Sequence, residues 1–200
     1  MSHYFINDDN LQSNEFTFDY HYAQHHLIFT SDNGVFSKNR VDFGTNLLIN
    51  SIPQIPNGLI LDLGCGIGII GLSLAKCNPQ AFCHLVDINQ RAINLAIKNS
   101  QINNIKNVKI YESDLYQNVE DTFDMIITNP PIRAGKKIVH RIIEEGYSYL
   151  NSGGLLYVVI QKKQGASSLL IKMEEIFRNA SIINKKNGYY VIVSKKETYL

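Results

Sequence analysis

Cysteine, net charge and long apolar runs are all scarce in this sequence, and each scarcity excludes a class of protein. The three cysteines, Cys65, Cys77 and Cys83, are odd in number and have no C-x-x-C spacing, so they indicate neither a disulfide framework nor a zinc site. No apolar run reaches the length of a transmembrane helix, and the polar N-terminus has no signal-peptide character. We therefore expect a cytoplasmic protein with no membrane partner and no bound metal.

Charge balance and size set further limits. A net charge of only +1 argues against a protein that holds nucleic acid by its overall electrostatics. With 200 residues, 44% of them hydrophobic, the chain suffices for one sizeable core, and no linker-like segment divides it. We expect one structural unit, in which an N-terminal β-hairpin extension (residues 1–40) precedes an α/β domain (residues 41–200).

The sharpest chemical signal is the tripeptide Asn129, Pro130, Pro131, which follows the apolar strand candidate Met125–Thr128. Two prolines remove two backbone N–H donors and push the residue before each out of the helical region, so the backbone is rigid there. The amide of Asn129 and the carbonyl of Pro130 can then accept hydrogens from one planar amine. Asn-Pro-Pro also occurs in ordinary turns, so the tripeptide needs support from the rest of the chain.

That support comes from a glycine-rich turn upstream. The strand candidate Leu59–Leu63 leads through this turn into the helix-compatible stretch Ile69–Ala75. Glycines at a strand-to-helix turn let a ligand approach the backbone beside the positive end of a helix. The next strand candidate, Phe82–Val86, ends at Asp87, an acid placed to accept both hydroxyls of a ribose. These features predict a nucleoside-binding site on a βαβ unit.

The glycines alone do not choose the nucleoside, because Gly66, Gly68 and Gly71 also satisfy the dinucleotide fingerprint G-x-G-x-x-G. The run 62–68, however, resembles motif I of class I methyltransferases, in which the acid and the glycines face the methionine part of S-adenosylmethionine. Asp114, after the strand candidate Val108–Glu112, matches the acid that faces adenine in that family. The resemblance favours S-adenosylmethionine over a nicotinamide cofactor. It implies these cofactor-binding residues: Asp62, Gly64, Cys65, Gly66, Gly68, Asp87, Ile88, Asp114, Leu115 and Asn129. Cys65 is interpreted as a space-filling residue rather than a nucleophile.

The remaining elements complete an alternating β/α pattern. Hydrophobic spacing predicts helices at 41–50, 90–103, 138–150 and 168–179, a turn at 151–154, and strands at 155–160, 182–184 and 189–194. Near the N-terminus, Phe16, Phe18, Tyr20 and Tyr22 alternate with polar residues and predict a half-buried strand, to which 26–30 returns antiparallel.

Two basic clusters flank the proposed site. Arg133, Lys136, Lys137 and Arg141 follow Asn-Pro-Pro, while Lys162 and Lys163 follow the strand candidate 155–160. Strand ends of a parallel sheet share one edge, so both clusters can line the same mouth and contact phosphates. Taken singly, each of these side chains is better explained as a solvated helix or loop residue, and only as a group do they indicate contact with phosphates.

A longer match indicates a narrower family. The strings 34–37, 41–45, 129–137 and 161–165 resemble the small-domain ribosomal RNA guanine-N2 methyltransferases, especially the short bacterial type. The resemblance implies an α/β, Rossmann-like class I fold with a seven-stranded, mostly parallel sheet and an antiparallel C-terminal hairpin, so that residues 41–200 form the methyltransferase domain. It implies S-adenosylmethionine as cofactor and ribosomal RNA or the small ribosomal subunit as partner. The catalytic candidates are Asn129, Pro130, Pro131 and Ile132, and the substrate-binding candidates are Phe36, Ser37, Arg133, Lys136, Lys137 and Lys162.

Two departures from the family limit this interpretation. Longer members carry an additional N-terminal domain that this sequence does not contain, so their choice of RNA does not transfer directly. The family's usual aromatic after Asn-Pro-Pro is Ile132 here, so stacking on the base is weaker or comes from elsewhere. Adenine-N6 or protein glutamine-N5 methylation, an NAD(P)-binding reductase and a non-catalytic RNA-binding assembly factor remain open as alternatives.

Overall fold

The computed structural model describes residues 12–35, 40–130 and 135–198. The elements follow one another in this order: β1 (Phe16–Tyr22), β2 (His25–Ser31), α1 (Phe43–Ile49), β3 (Leu59–Leu63), α2 (Ile69–Cys77), β4 (Phe82–Asp87), α3 (Gln90–Ile102), β5 (Val108–Glu112), β6 (Phe123–Thr128), α4 (Lys136–Gly146), β7 (Leu150–Gln161), a 3₁₀ turn (Lys162–Gln164), α5 (Ala166–Phe177), β8 (Ser181–Lys186) and β9 (Tyr189–Lys195).

Seven strands form the central sheet, in the order β5-β4-β3-β6-β7-β9-β8. The strands from β5 to β7 in this order are parallel, whereas β9 pairs antiparallel with both β7 and β8. Parallel neighbours require crossover connections, and here these carry the helices that cover the sheet. The expected seven-stranded sheet with an antiparallel C-terminal hairpin is therefore confirmed.

Apolar side chains alternate between the two faces of this sheet. In β7, Leu156, Val158 and Ile160 pack into the layer under α4 and α5, while Tyr157 and Val159 pack into the layer under α1, α2 and α3. Strands buried on both faces are nearly continuous apolar runs. The glycine-rich turn and Asn129 follow two of these strands, β3 and β6, so the buried sheet fixes the backbone from which the candidate site projects.

The N-terminal hairpin is a separate two-stranded sheet of β1 and β2. The alternation along β1 reflects its packing: Tyr20 is buried together with Leu27 and Phe29 of β2, and they join the core layer of α1 to α3. The expected half-buried strand and its antiparallel partner are present, although β2 begins at His25.

The structure differs from the sequence-based elements around residue 150. The predicted helix 138–150 spans Lys136–Gly146 instead, and the predicted turn 151–154 lies within β7. Leu150 already pairs with Phe123, and a shift of register before Met125 absorbs the extra residues. Backbone hydrogen bonds from Gly153 to Lys196 (2.7 Å) and from Lys196 to Gly154 (2.9 Å) hold this irregular segment in the sheet. Throughout the described ranges, no helix has the length and apolar composition needed to cross a membrane.

Candidate active site

The carboxyl ends of β3, β4, β5 and β6 lie along one edge of the parallel sheet. Each is followed by residues that the sequence singled out: the turn 64–68 after β3, Asp87 at the end of β4, Asp114 after β5, and Asn129 after β6. Ligands of open α/β sheets bind in the crevice outside these ends. The fold thus brings the described cofactor candidates and Asn129 to a common edge.

Backbone hydrogen bonds hold the glycine turn against the end of β4. The N–H groups of Gly64 and Cys65 both donate to the carbonyl of Val86 at 2.9 Å. The N–H of Gly66 donates to Asp87 Oδ2 at 2.8 Å. Gly64 is exposed with a φ of +73°, and a Cβ added to it would meet no described atom within 4 Å. The turn therefore presents open backbone directly before α2.

Two buried carboxylates lie beneath this turn. Asp62 is completely buried, and its Oδ2 accepts a hydrogen bond from the Gly71 N–H at 2.8 Å, while no described group donates to its Oδ1. Burial, with a smaller contribution from the charge of Asp87, raises the pKa of Asp62 to about 7. An unsatisfied buried oxygen is costly, so Asp62 fits a role beside a polar ligand group.

Asp87 is the acid predicted to bind ribose. Its Oδ2 accepts from Gly66, and its Oδ1 accepts from the Asn89 N–H at 2.9 Å. These bonds fix the orientation of the carboxylate at the end of β4. Ile88 is half-buried, and the next predicted acid, Asp114, is exposed beside Leu115.

Cys65 is buried within the turn. Burial raises the pKa of its thiol well above the usual range, with added contributions from Asp62 and Asp87. Because the thiolate is the nucleophilic form, this environment disfavours a nucleophilic role for Cys65. The structure agrees with its interpretation as a space-filling residue.

Asn129 is held by the start of α1. Its side-chain Nδ2 donates to Thr45 Oγ1 at 2.9 Å and lies 3.4 Å from each carboxylate oxygen of Asp42. No group in residues 12–35, 40–130 or 135–198 donates to Asn129 Oδ1, and the side chain is only partly buried. The amide thus presents an acceptor at the edge of the sheet.

The sequence did not identify Asp42 and Thr45 as site residues. Asp42 caps α1 by accepting from the N–H groups of Gly44 (2.9 Å) and Thr45 (3.2 Å). An aspartate before a helix is a recognisable capping signal. That signal does not reveal Asn129, which lies 87 residues further along the chain from Asp42.

The basic candidates are described in part. Lys136 and Lys137 are exposed at the start of α4, and Lys162 is exposed directly after β7. Lys162 thus lies at the carboxyl end of β7, and the helix that carries Lys136 and Lys137 is the next element after β6, the parallel neighbour of β7. Five of the catalytic and substrate-binding candidates fall outside the described residues: Phe36, Ser37, Pro131, Ile132 and Arg133.

The sheet order, the open glycine turn and the acid at the end of β4 are the features that the sequence resemblance to class I methyltransferases implies. The family model for the methyltransferase small domain matches residues 26–193, and the chain belongs to that family. Its cofactor is S-adenosylmethionine, and the open backbone at Gly64 and the polar groups of Asp62 and Asp87 fit a nucleoside with a charged amino acid tail.

Individual relatives agree with this assignment. The chain is 50% identical over 198 residues to "Uncharacterized protein YbxB" of Bacillus subtilis, covering 97% of this chain and 98% of that protein. It is 33% identical to ribosomal RNA small subunit methyltransferase C of Shewanella loihica, over 82% of this chain and 47% of that protein. A solved structure of T. thermophilus 16S rRNA N2 G1207 methyltransferase (RsmC) in complex with AdoMet and guanosine superposes with a TM-score of 0.82 at 24% identity, over 94% of this chain and 52% of that one. The chain spans about half the length of these two methyltransferases.

Proposed function

We propose that this protein transfers a methyl group from S-adenosylmethionine to N2 of a guanine in ribosomal RNA. The observation that carries the proposal is the orientation of Asn129, whose Nδ2 is engaged by Thr45 and Asp42 while its Oδ1 remains available as an acceptor. Only an amine or another donor satisfies such an acceptor. The names of the methyltransferase C relatives support ribosomal RNA as the polymer that carries the amine.

Positioning supplies most of the catalysis in this proposal. When bound, S-adenosylmethionine supplies an electrophilic methyl group. The lone pair of guanine N2 is delocalised into the ring, so the nitrogen is a poor nucleophile. Asn129 Oδ1 and the Pro130 carbonyl accept its two hydrogens, draw it toward tetrahedral geometry and direct its lone pair at the methyl carbon. The methylated nitrogen is cationic and strongly acidic, so its proton leaves to water and no dedicated base is needed.

Access to this site requires an unstacked base. Asn129 is partly buried and Pro130 is buried, so a base within a helical stack does not reach them. We propose that Lys136, Lys137 and Lys162 contact the neighbouring phosphates, since none of them takes part in the ion pairs found among the described residues. Phe36, Ser37, Arg133 and Ile132 are proposed to border the same base.

The test separates chemistry from cofactor binding. Asn129→Ala is expected to lower methyl transfer by at least about 100-fold, the usual effect of removing a preorganised polar group, while S-adenosylmethionine affinity measured by calorimetry stays unchanged. Asp87→Asn is expected to weaken that affinity instead. Full transfer activity in Asn129→Ala contradicts the proposal.

The acceptor substrates in this assay distinguish the proposed base from the alternatives. Labelled methyl transfer is measured on 16S ribosomal RNA and small subunits from a strain that lacks the gene, on DNA, and on a peptide release factor. The modified nucleoside is then identified by mass spectrometry. N2-methylguanosine supports the proposal, whereas N6-methyladenosine or methylated glutamine replaces it with one of the other amino targets.

A further inference from the structure

The contacts of Asn129 assign a role to Asp42 and Thr45, which precede the glycine turn by about twenty positions. An asparagine side chain has two amide hydrogens. Here Thr45 Oγ1 accepts one at 2.9 Å, and the second faces Asp42, whose two oxygens are both 3.4 Å from Nδ2. The donor half of the Asn129 amide is thus fully engaged inside the protein.

This arrangement favours one of the two orientations that an asparagine amide can adopt. A half-turn of the Asn129 amide would place its oxygen against the Asp42 carboxylate, where two acceptors face each other without a hydrogen. The observed orientation instead places the amide hydrogens beside a negative charge. That charge also polarises the amide and makes Asn129 Oδ1 a stronger acceptor, as linked hydrogen bonds do in a low-dielectric setting.

Asp42 and Thr45 are themselves fixed by the surrounding structure. Asp42 is tied to the first turn of α1 through the N–H groups of Gly44 and Thr45. That turn lies against β9, because the ring of Phe43 is 5.4 Å from the ring of Tyr189 and a Cβ on Gly44 would come within 2.8 Å of it. Tyr189 is held in turn by Gln161, whose Nε2 donates to the tyrosine oxygen at 2.5 Å. A rigid supporting shell of this kind is what a precise polar site requires.

We propose that Asp42 and Thr45 are positioning residues that hold Asn129 with its oxygen toward the substrate amine. The inference rests on the proposed function of Asn129 as the amine acceptor. It deepens that function, because a locked acceptor selects amino nitrogens and rejects a keto oxygen at the same place. A loosened amide presents its NH₂ group for part of the time, and that orientation is unproductive.

The variants separate this role from helix capping and from loss of volume. Thr45→Val removes the hydroxyl acceptor at nearly constant shape, and Thr45→Ser restores it. Asp42→Asn removes the charge, yet asparagine caps helices as well as aspartate does. Thr122→Val is the matched control, because Thr122 Oγ1 also forms a hydrogen bond with an asparagine side chain, that of Asn151. Thr122 directly precedes β6 and so lies at the opposite end of that strand from Asn129.

Two readouts are used, and the first needs no RNA. The side-chain amide signals of Asn129, identified by their loss in Asn129→Asp, are followed by ¹⁵N–¹H NMR in the protein with and without S-adenosylmethionine. In Thr45→Val and Asp42→Asn these signals are expected to move and their hydrogens to exchange at least about tenfold faster, since the first variant removes an acceptor of the NH₂ group and the second removes the charge that faces it. Thr45→Ser and Thr122→Val should leave them in place.

The second readout is single-turnover methyl transfer to 16S ribosomal RNA. Thr45→Val and Asp42→Asn are expected to lower the rate by roughly 10- to 100-fold, the scale of a small misplacement of a reacting group, with unchanged cofactor affinity and RNA half-saturation. Wild-type rates together with unchanged Asn129 signals in both variants overturn the inference. If Asn129→Ala is inactive while these variants are fully active, the inference fails and the proposed function stands. If the wild-type protein methylates none of the acceptors, the proposed function fails, and the NMR result alone decides whether Asp42 and Thr45 fix the amide.

Discussion

At the scale of single residues, Asp62 occupies a position that is unfavourable for an ionised carboxylate. Its carboxylate lies wholly inside the protein with one oxygen bonded to Gly71, and its second oxygen has no donor among the described residues. Burial favours the protonated form, which is why the pKa rises from 3.8 to about 7. A buried carboxylate with an unsatisfied oxygen lowers the stability of the protein. We therefore infer that a polar group of a ligand contacts Asp62.

The pH dependence of stability follows from the raised pKa of Asp62. Between pH 4 and pH 7 the folded protein keeps a proton that unfolded Asp62 releases, so the contribution of this group to the free energy of unfolding falls as pH rises. A tenfold difference in proton affinity between the folded and the unfolded protein corresponds to about 1.4 kcal/mol. The contribution of Asp62 to the free energy of unfolding is therefore expected to fall by a few kcal/mol across this range. Asp62→Asn cannot titrate and should escape the loss.

Urea unfolding of the ligand-free wild type and Asp62→Asn, at pH 5 and at pH 8, measures this effect. Most other acids titrate alike in the two proteins, so their contributions cancel in the difference between the two free energies of unfolding. From pH 5 to pH 8, the free energy of unfolding of Asp62→Asn is expected to rise relative to that of the wild type. An equal difference at both pH values would show that Asp62 is ionised in the folded protein already at pH 5.

At the scale of elements, asparagine side chains at the C-terminal end of helix α3 form hydrogen bonds with the backbone of the edge strand β2. Asn99 Oδ1 accepts from the Thr30 N–H at 2.7 Å and its Nδ2 donates to the Thr30 carbonyl at 3.0 Å. Asn103 repeats the pattern with Ile28, at 2.9 and 2.7 Å. Four helical residues rise about 6 Å and two strand residues about 6.8 Å, so side chains at i and i+4 meet alternate residues of a strand. The two amides act as a substitute neighbouring strand.

The same asparagine reaches the cofactor turn, because Asn99 Nδ2 also donates to the carbonyl of Ile67 at 3.0 Å. We expect Asn99→Ala to lower the free energy of unfolding by about 2 to 4 kcal/mol, since it leaves buried backbone groups of Thr30 without partners. Amide exchange at Thr30 should accelerate as well. Asn94→Ala is the control, because Asn94 is exposed on the same helix. Equal unfolding energies for the two variants would contradict the role given to Asn99.

Local patterns in the sequence predict the parts of this structure that depend on neighbouring residues. The strand before Gly64, the acid that ends β4 and the strand before Asn129 all follow from apolar runs with polar residues at their ends. The partners of those residues follow from no such pattern. Asn129 meets Asp42 across 87 positions and Asn99 meets Thr30 across 69, and only the packing of α1 and α3 brings them together. The prediction of a turn at 151–154 is wrong because the glycines of that segment also suit a bulged strand.

On the scale of the whole molecule, a net charge of +1 conceals an uneven distribution. The turn between β8 and β9 adjoins the end of β7, where the Lys162 N–H donates to the Gly188 carbonyl at 2.7 Å. Exposed lysines therefore collect beside the end of β7: Lys162, Lys163, Lys185 and Lys186. This group, which we call the basic rim, lies at the edge of the sheet that carries Asn129. For a protein with such a local basic rim we expect a polyanion to bind at one place rather than over the whole surface.

The basic rim should contribute affinity for RNA and leave the chemical step unchanged. Lys162→Ala and Lys186→Ala are each expected to raise the half-saturating concentration of 16S ribosomal RNA several-fold, with little change in the single-turnover rate at saturation. Each lost phosphate contact should also reduce the slope of log affinity against log salt by about 0.7 to 0.9. Lys106→Ala provides the control, because Lys106 is exposed before β5, at the opposite edge of the parallel sheet. Filter binding between about 50 and 200 mM salt measures the slopes. If all three variants keep the wild-type slope, the phosphates are held elsewhere and the basic rim is only a solvated surface.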